Sequence, residues 1–214
     1  MEKAQKVIKY YVLCNKLKDV IRTGWKDWNV SRDRIESVAE HIYGVQMLAI
    51  AMKSEYEYDI DIEKVIMMLA VHELEEILIG DLTCFQISKE EKQKIGHDAV
   101  DKVLNGLLDK RKIKDLILEF DERLTKEAKF AYYCDKLECD IQSRLYDEEK
   151  CVDLSKQEGN NTYKNDDVQK ILNEEKSWSG MWIRFGQERY NYDEHFMEVS
   201  NFIKNNDIKD LIQD

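Results

Sequence analysis

The dipeptide His72-Glu73 closes the apolar run Val65-Ile66-Met67-Met68-Leu69-Ala70-Val71, and Glu75, Glu76 and Gly80-Asp81 follow at once. An imidazole and several carboxylates at the end of a core segment are costly to desolvate unless something neutralises them. A shared divalent cation does so, but it needs further ligands from elsewhere in the chain. Two residues fit. His41 follows the pattern Ser37-Val38-Ala39-Glu40, in which Ser37 caps a helix and Glu40 reaches back to close a capping box. Asp135 follows Ala131-Tyr132-Tyr133-Cys134 and precedes Leu137, so it too is an acid inside an apolar stretch. Consecutive antiparallel helices set the start of one beside the end of the next, which makes His41 and His72 neighbours. Two imidazoles and two carboxylates suit one divalent transition ion (Mn, Fe, Co, Ni or Zn) better than Mg or Ca, which prefer oxygen shells.

The remaining histidines, His97 and His195, lack an acid-rich apolar setting and read as structural. A zincin reading fails because Glu76 stands where H-E-x-x-H needs its second histidine. A di-iron carboxylate bundle needs paired Glu-x-x-His, yet Val38, Leu69, Lys94 and Tyr192 precede the four histidines by three residues.

The elements that must carry these residues are helical. The 214 residues contain no proline, and apolar positions recur at helical spacing. Helices are expected over 2–21, from Ser37 to about Ser54, over 62–79 with Gly80 as a left-handed stop, and from a second capping box at Ser88 to about Leu108. Further ones are expected over 114–120, 127–149, 167–175, 182–190 and 195–204, with Arg22-Thr23-Gly24-Trp25 breaking the first. The fold class is all-α: a core over 1–150 and a C-terminal helical extension over 151–214, in a single domain overall. A formal charge of −11 argues against binding a nucleic-acid polymer. It leaves a small phosphate ester open, since a metal supplies local positive charge. Charge runs such as Lys89-Glu90-Glu91-Lys92 read as solvated helix faces. The five cysteines are scattered, without a Cys-x-x-Cys pair, and no apolar run reaches membrane-spanning length. The expectation is a cytoplasmic protein with free thiols and no membrane contact.

At these residues the sequence resembles the HD-domain metal-dependent phosphohydrolases, whose pattern is H…HD…D. His41, His72 and Asp135 match, and Glu73 stands where the family carries Asp. The resemblance narrows to the 5′-deoxynucleotidase branch through Arg22-Thr23-Gly24-Trp25, Glu36-Ser37-Val38-Ala39-Glu40-His41 and His72-Glu73-Leu74-Glu75-Glu76-Ile77-Leu78-Ile79-Gly80-Asp81-Leu82. It covers roughly residues 5–150. It implies hydrolysis of a deoxyribonucleoside 5′-monophosphate to nucleoside and phosphate, by a homodimer. His41, His72, Glu73 and Asp135 would hold the metal. Glu76 would act as general acid or base. Asp81 would orient water or contact the sugar, or else cap the following segment. Arg22 would bind phosphate through its planar fork, and Trp25 would pack on sugar or base, or else in the core. Two other readings remain open at this stage: an HD-type phosphodiesterase or nucleotide polyphosphate hydrolase, and a non-catalytic nucleotide- or metal-binding protein in which Glu73 records a lost site.

Overall fold

The computed structural model describes residues 2–83 and 85–212, so Cys84 lies outside the described residues. It is all-α, with no strand among the described residues. The helices are α1 (Lys3–Asn15), α2 (Thr23–Asp27), α3 (Val38–Glu55), α4 (Ile62–Val71), α5 (Glu76–Ile79), α6 (Lys89–Val103), α7 (Lys110–Glu122), α8 (Lys126–Glu148), α9 (Asp166–Glu175), α10 (Trp178–Gln187) and α11 (Glu194–Asn205).

Two compact units emerge. One comprises 1–23 and 36–132, the other 24–35 and 133–214, and α8 runs from the first into the second. The core of the first gathers Val38, Val71, Leu74, Ile77, Val100, Val103 and Ile117, against which Tyr10, Leu13 and Cys14 of α1 pack. The second is built on tryptophan. Trp25 stacks on Trp182 at 4.8 Å between ring centroids and meets Tyr146 edge-on at 5.3 Å, while Trp28 packs on Trp178 and Tyr163. Gly24 permits this approach, since a Cβ there would sit 3.1 Å from the Trp182 ring.

The capping box at Ser37 forms as expected: Ser37 accepts from the Glu40 amide, and the Glu40 carboxylate accepts from the Ser37 amide at 2.8 Å. Ser88 accepts from the Glu91 amide, and α6 then ends at Val103 rather than near Leu108. Three boundaries depart from the periodicity. The first helix stops at Asn15, a short 3-10 turn over 16–18 buries Leu17, and the chain extends so that Ile21 bridges Ser37. Arg22-Thr23-Gly24-Trp25 does not merely break that helix, because Thr23 begins a short one of its own. The helix expected over 62–79 divides into α4 and α5, with His72-Glu73-Leu74-Glu75 as tight turns between them. There the amides of Leu74, Glu76 and Ile77 donate three residues back, to Val71, Glu73 and Leu74. This is 3-10 winding, which packs three residues per turn. Gly80 has φ +73° with an extended ψ of 172°, a positive-φ stop outside the left-handed helical well.

Candidate metal centre

The first unit brings His41, His72 and Glu73 together. Each is buried, and their ligand atoms lie within 4.8 Å of one another. His41 sits on the first turn of α3, fixed by the capping box below it, and the two imidazole centroids are 5.6 Å apart. His72 is the C-cap of α4, and Phe120 of α7 packs against its ring at 5.1 Å. In the tight turns that follow α4, Glu73 Oε1 comes to 3.5 Å from His72 Nε2.

The hydrogen bonding of His72 fixes its tautomer. Its Nδ1 lies 2.8 Å from the carbonyl oxygen of Leu69, and a carbonyl can only accept, so the proton is on Nδ1. The lone pair of neutral His72 is therefore on Nε2, and Nε2 faces Glu73 Oε1 at 3.5 Å. Two electron-pair donors converging in a buried site call for a positive charge between or beside them. The donor set thus fits a divalent metal, with the backbone carbonyl orienting the histidine.

Arg22 is delivered to this cluster by backbone pairing. Val38 N–H donates to the Val20 carbonyl at 2.8 Å and Arg22 N–H to the Glu36 carbonyl at 3.1 Å, which ties the Arg22 segment to the start of α3 however long the intervening loop. The guanidinium then lies 3.4 Å from Glu73 Oε1. Asp81 is held by the same segment: the Thr23 amide donates to its Oδ2 at 2.6 Å, and the Thr23 hydroxyl donates to its carbonyl at 2.7 Å. Asp81 thus caps the short helix begun by Thr23.

Glu76 is fully buried, its Oε1 accepts from Lys92 Nζ at 3.2 Å, and its Oε2 is buried with no hydrogen-bond partner. Burial, then the neighbouring carboxylates of Glu73 and Asp81, push its carboxyl well above the usual range, against the opposing pull of Lys92 and Arg22. Glu75 is pushed up to about 8 by burial and by Glu73. Burial alone would depress Lys92, yet the surrounding Glu73, Glu76, Glu75 and Asp81 hold its ammonium above the ordinary lysine value.

Lys92 is the site residue that sequence reasoning missed: Lys89, Glu90 and Glu91 are exposed, as a solvated face requires, and Lys92 alone turns inward. It sits four residues before Gly96 on the buried stripe of α6 that continues through Ala99, Val100 and Val103. Its Nζ also donates to the Leu82 carbonyl at 3.0 Å, so one lysine ties Glu76 to the turn carrying Asp81. The helical spacing held the signal, but the charge run masked it.

Trp25 and Asp135 belong to the second unit. Trp25 is 1% exposed and enclosed by aromatic rings, the core packing that the sequence left open beside contact with sugar or base. Asp135 is buried on α8, and its carboxylate pairs with Lys136 Nζ at 2.8 Å. His97 pairs with Asp121 at 2.7 Å, and His195 lies near the surface beside Glu194.

Residues 14–179 match the model of the HD domain family. The chain belongs to the HD-domain family. Among its relatives in that family, a 5′-deoxynucleotidase HDDC2 from Dictyostelium discoideum is 33% identical over 66% of this chain and 78% of the relative. The namesake from Danio rerio is 32% identical over 66% and 70%. A 5′-deoxynucleotidase from Schizosaccharomyces pombe is 30% identical over 68% and 74%. Among solved structures, a conserved hypothetical protein of Pyrococcus furiosus superposes with TM-score 0.58 at 27% identity, covering 78% of this chain and 97% of that one. A predicted metal-dependent phosphohydrolase of Magnetospirillum magnetotacticum shares the fold, with TM-score 0.63 at 20% identity, covering 94% and 93%. The HD-domain chain described here is thus a hydrolase of that family, with a buried histidine and carboxylate cluster able to hold a metal ion. Among the described residues no helix is long and apolar enough to cross a membrane.

Proposed function

We propose that this protein is a metal-dependent 5′-deoxynucleotidase that converts a deoxyribonucleoside 5′-monophosphate to nucleoside and phosphate. The observation that carries the reading is the opposition of His72 Nε2 and Glu73 Oε1 at 3.5 Å in a buried site, with His41 beside them. The chain's resemblance to several 5′-deoxynucleotidases over two thirds of its length supports the substrate class. His41, His72 and Glu73 hold one divalent transition ion (Mn, Co, Fe, Ni or Zn), and Asp135, the buried acid of α8, is the fourth ligand. The longer Glu73 serves in place of the customary Asp because the tight turn at His72 sets its carboxylate against the histidine. When bound, the ion supplies Lewis-acid polarisation and local positive charge for the phosphate.

The chain's own residues supply the rest. Glu76 is the proton-handling group. Its carboxyl, raised by burial, holds a proton more readily than an ordinary carboxyl and can deliver it to the leaving 5′ oxygen, or take one from the attacking water. Arg22 is the phosphate-binding cation, already beside Glu73 and able to turn its remaining donors outward. Asp81 is a positioning residue that fixes the Arg22-Thr23 backbone. The protein works as a cytoplasmic homodimer on a small nucleotide, without nucleic-acid polymers or membranes as partners.

The test is phosphate release from a panel of deoxynucleoside and ribonucleoside monophosphates by protein loaded with Mn or Co. Release is expected from at least one deoxynucleotide. Glu76→Gln should lower it by about 10²–10⁴-fold, the range general acid–base catalysis supplies, with metal content unchanged by elemental analysis. Full metal occupancy with no hydrolysis of any monophosphate would sink the reading.

A further inference from the structure

Helix α1 is unlike the rest of this acidic chain. Residues 3–18 carry Lys3, Lys6, Lys9, Lys16 and Lys18 and no acid, within a protein of net charge −11. One face of α1 packs Tyr10, Leu13 and Cys14 on the core of the first unit. The opposite face leaves Val7, Ile8, Tyr11 and Val12 between 54% and 62% exposed. These four positions recur at i, i+1, i+4 and i+5, so they form one continuous stripe. An apolar stripe of this extent, flanked by charges of one sign, is the pattern of a helix laid into a groove of a partner.

The same unit offers such a groove. Between α3 and α4 a cleft of about 600 Å³ is lined by Ile50, Lys53, Ile62, Ile66, Met67 and Ala70. Tyr43, Met47 and Ile50 extend its apolar wall along the outer face of α3 and are 42% to 65% exposed. The segment leading into α4 beside this cleft is acidic: Glu55, Glu57, Asp59, Asp61 and Glu63 are all exposed, with no basic residue among positions 55–63, although Lys53 lines the cleft itself. Asp59 is engaged by Lys126 at 2.6 Å, and Glu63 itself lines the cleft. A basic helix with an apolar stripe and an apolar cleft beside an acidic segment thus occur on one molecule.

We propose that α1 of a second copy of this chain seats in the groove between α3 and α4, and that two copies exchange these contacts about a twofold axis. A twofold interface must be self-complementary, with helix meeting groove on one side and groove meeting helix on the other, and the first unit carries both halves. The apolar stripe supplies the buried contact, and the lysines and acids set register and exclude a helix of opposite charge. This assignment rests on the homodimer reading above and names the surface that forms it.

Sedimentation velocity of the full chain decides the matter. Wild type is expected to dimerise. Lys3→Glu with Lys9→Glu should raise the dimer dissociation constant by about tenfold or more, as should Glu57→Lys with Glu63→Lys. Combining both reversals restores the opposite charges and should bring the constant back. That rescue cannot arise from misfolding. Tyr11→Asp should give a monomer with unchanged helical circular dichroism, because the ring is 62% exposed in the single chain and its loss opens no cavity. A monomeric wild type, or a dimer indifferent to all three variants, overturns the proposal. So does a monomer whose α1 lysines instead bind phosphatidylserine vesicles. Phosphate release is measured alongside. Its loss in an intact dimer counts against the hydrolase reading alone, while charge-insensitive dimerisation with hydrolysis retained counts against this surface alone.

Discussion

At the scale of single residues, the site sets the Lys92 ammonium among four carboxylates, with Arg22 beside one of them. Lys92 faces Glu73, Glu75, Glu76 and Asp81, and its ammonium reaches both Glu76 and the Leu82 carbonyl. Removing one partner of a buried ion pair costs more than the pair contributes, because the other charge stays desolvated. Lys92→Met is therefore expected to lower the unfolding free energy by about 3 kcal/mol near neutral pH, read from denaturant titration. Glu76 can take up a proton, and its carboxyl already sits well above the usual range through burial and then Glu73. The deficit should accordingly shrink as pH falls and Glu76 is neutralised. Lys92→Arg should recover part of the stability, since charge is kept while the reach to two oxygens changes. A Lys92→Met deficit that stays constant from pH 5 to 8 would show that packing, not charge, accounts for the residue.

At the scale of elements, α8 presents acids to the interior at more than one turn. Asp140 is fully buried, its Oδ2 accepts from the Tyr192 hydroxyl at 3.0 Å, and Oδ1 is buried with no hydrogen-bond partner. Burial pushes its carboxyl well above the usual range, and the Tyr192 hydrogen bond and Lys136 only partly oppose this. The sign follows from linkage. With the folded value above the unfolded one, the native state holds the extra proton, and stability falls as pH rises from the unfolded carboxylate value near ~3.9. Asp140→Asn removes that proton difference. Relative to wild type, the variant should gain up to about 1.4 kcal/mol per pH unit above that value. Parallel stability curves for the two proteins would place the pH dependence elsewhere. These two elements also mark what sequence could disclose. The capping box, the approach of His41 to His72, and most helix spans follow from local spacing, which Ser37 and Glu40 display openly. The division of α4 from α5 was not legible, because 3-10 winding at His72–Glu75 uses residues that suit an α-helix equally well. Lys92 and Asp140 were hidden for a different reason: their burial is set by distant partners, and composition alone assigns a charged residue to solvent.

At the scale of the whole molecule, binding and folding are one equilibrium. A metal held by His41, His72 and Glu73 joins the start of α3 to the end of α4, whose approach is otherwise maintained by packing around Val38, Val71 and Leu74. Anything that binds the native state and not the unfolded chain stabilises it by mass action, by about 2.7 kcal/mol at a hundredfold excess over the dissociation constant. The melting temperature of chelator-treated protein is therefore expected to climb with added Mn or Co and to fall again on chelation. The climb should continue logarithmically past saturation, which separates specific binding from a general salt effect on an acidic chain. His41→Ala should abolish the dependence and also lower the metal-free melting temperature, since it deletes a fully buried side chain; the lost response to metal, not the absolute temperature, is the readout. Asp135→Ala bears on the second unit. If the α8 carboxylate completes the shell, the melting curve should shift to higher metal concentration without losing its slope. If Asp135→Ala leaves the curve unmoved, the ligand set ends with the three side chains of the first unit, and the ion pair with Lys136 accounts for Asp135 instead.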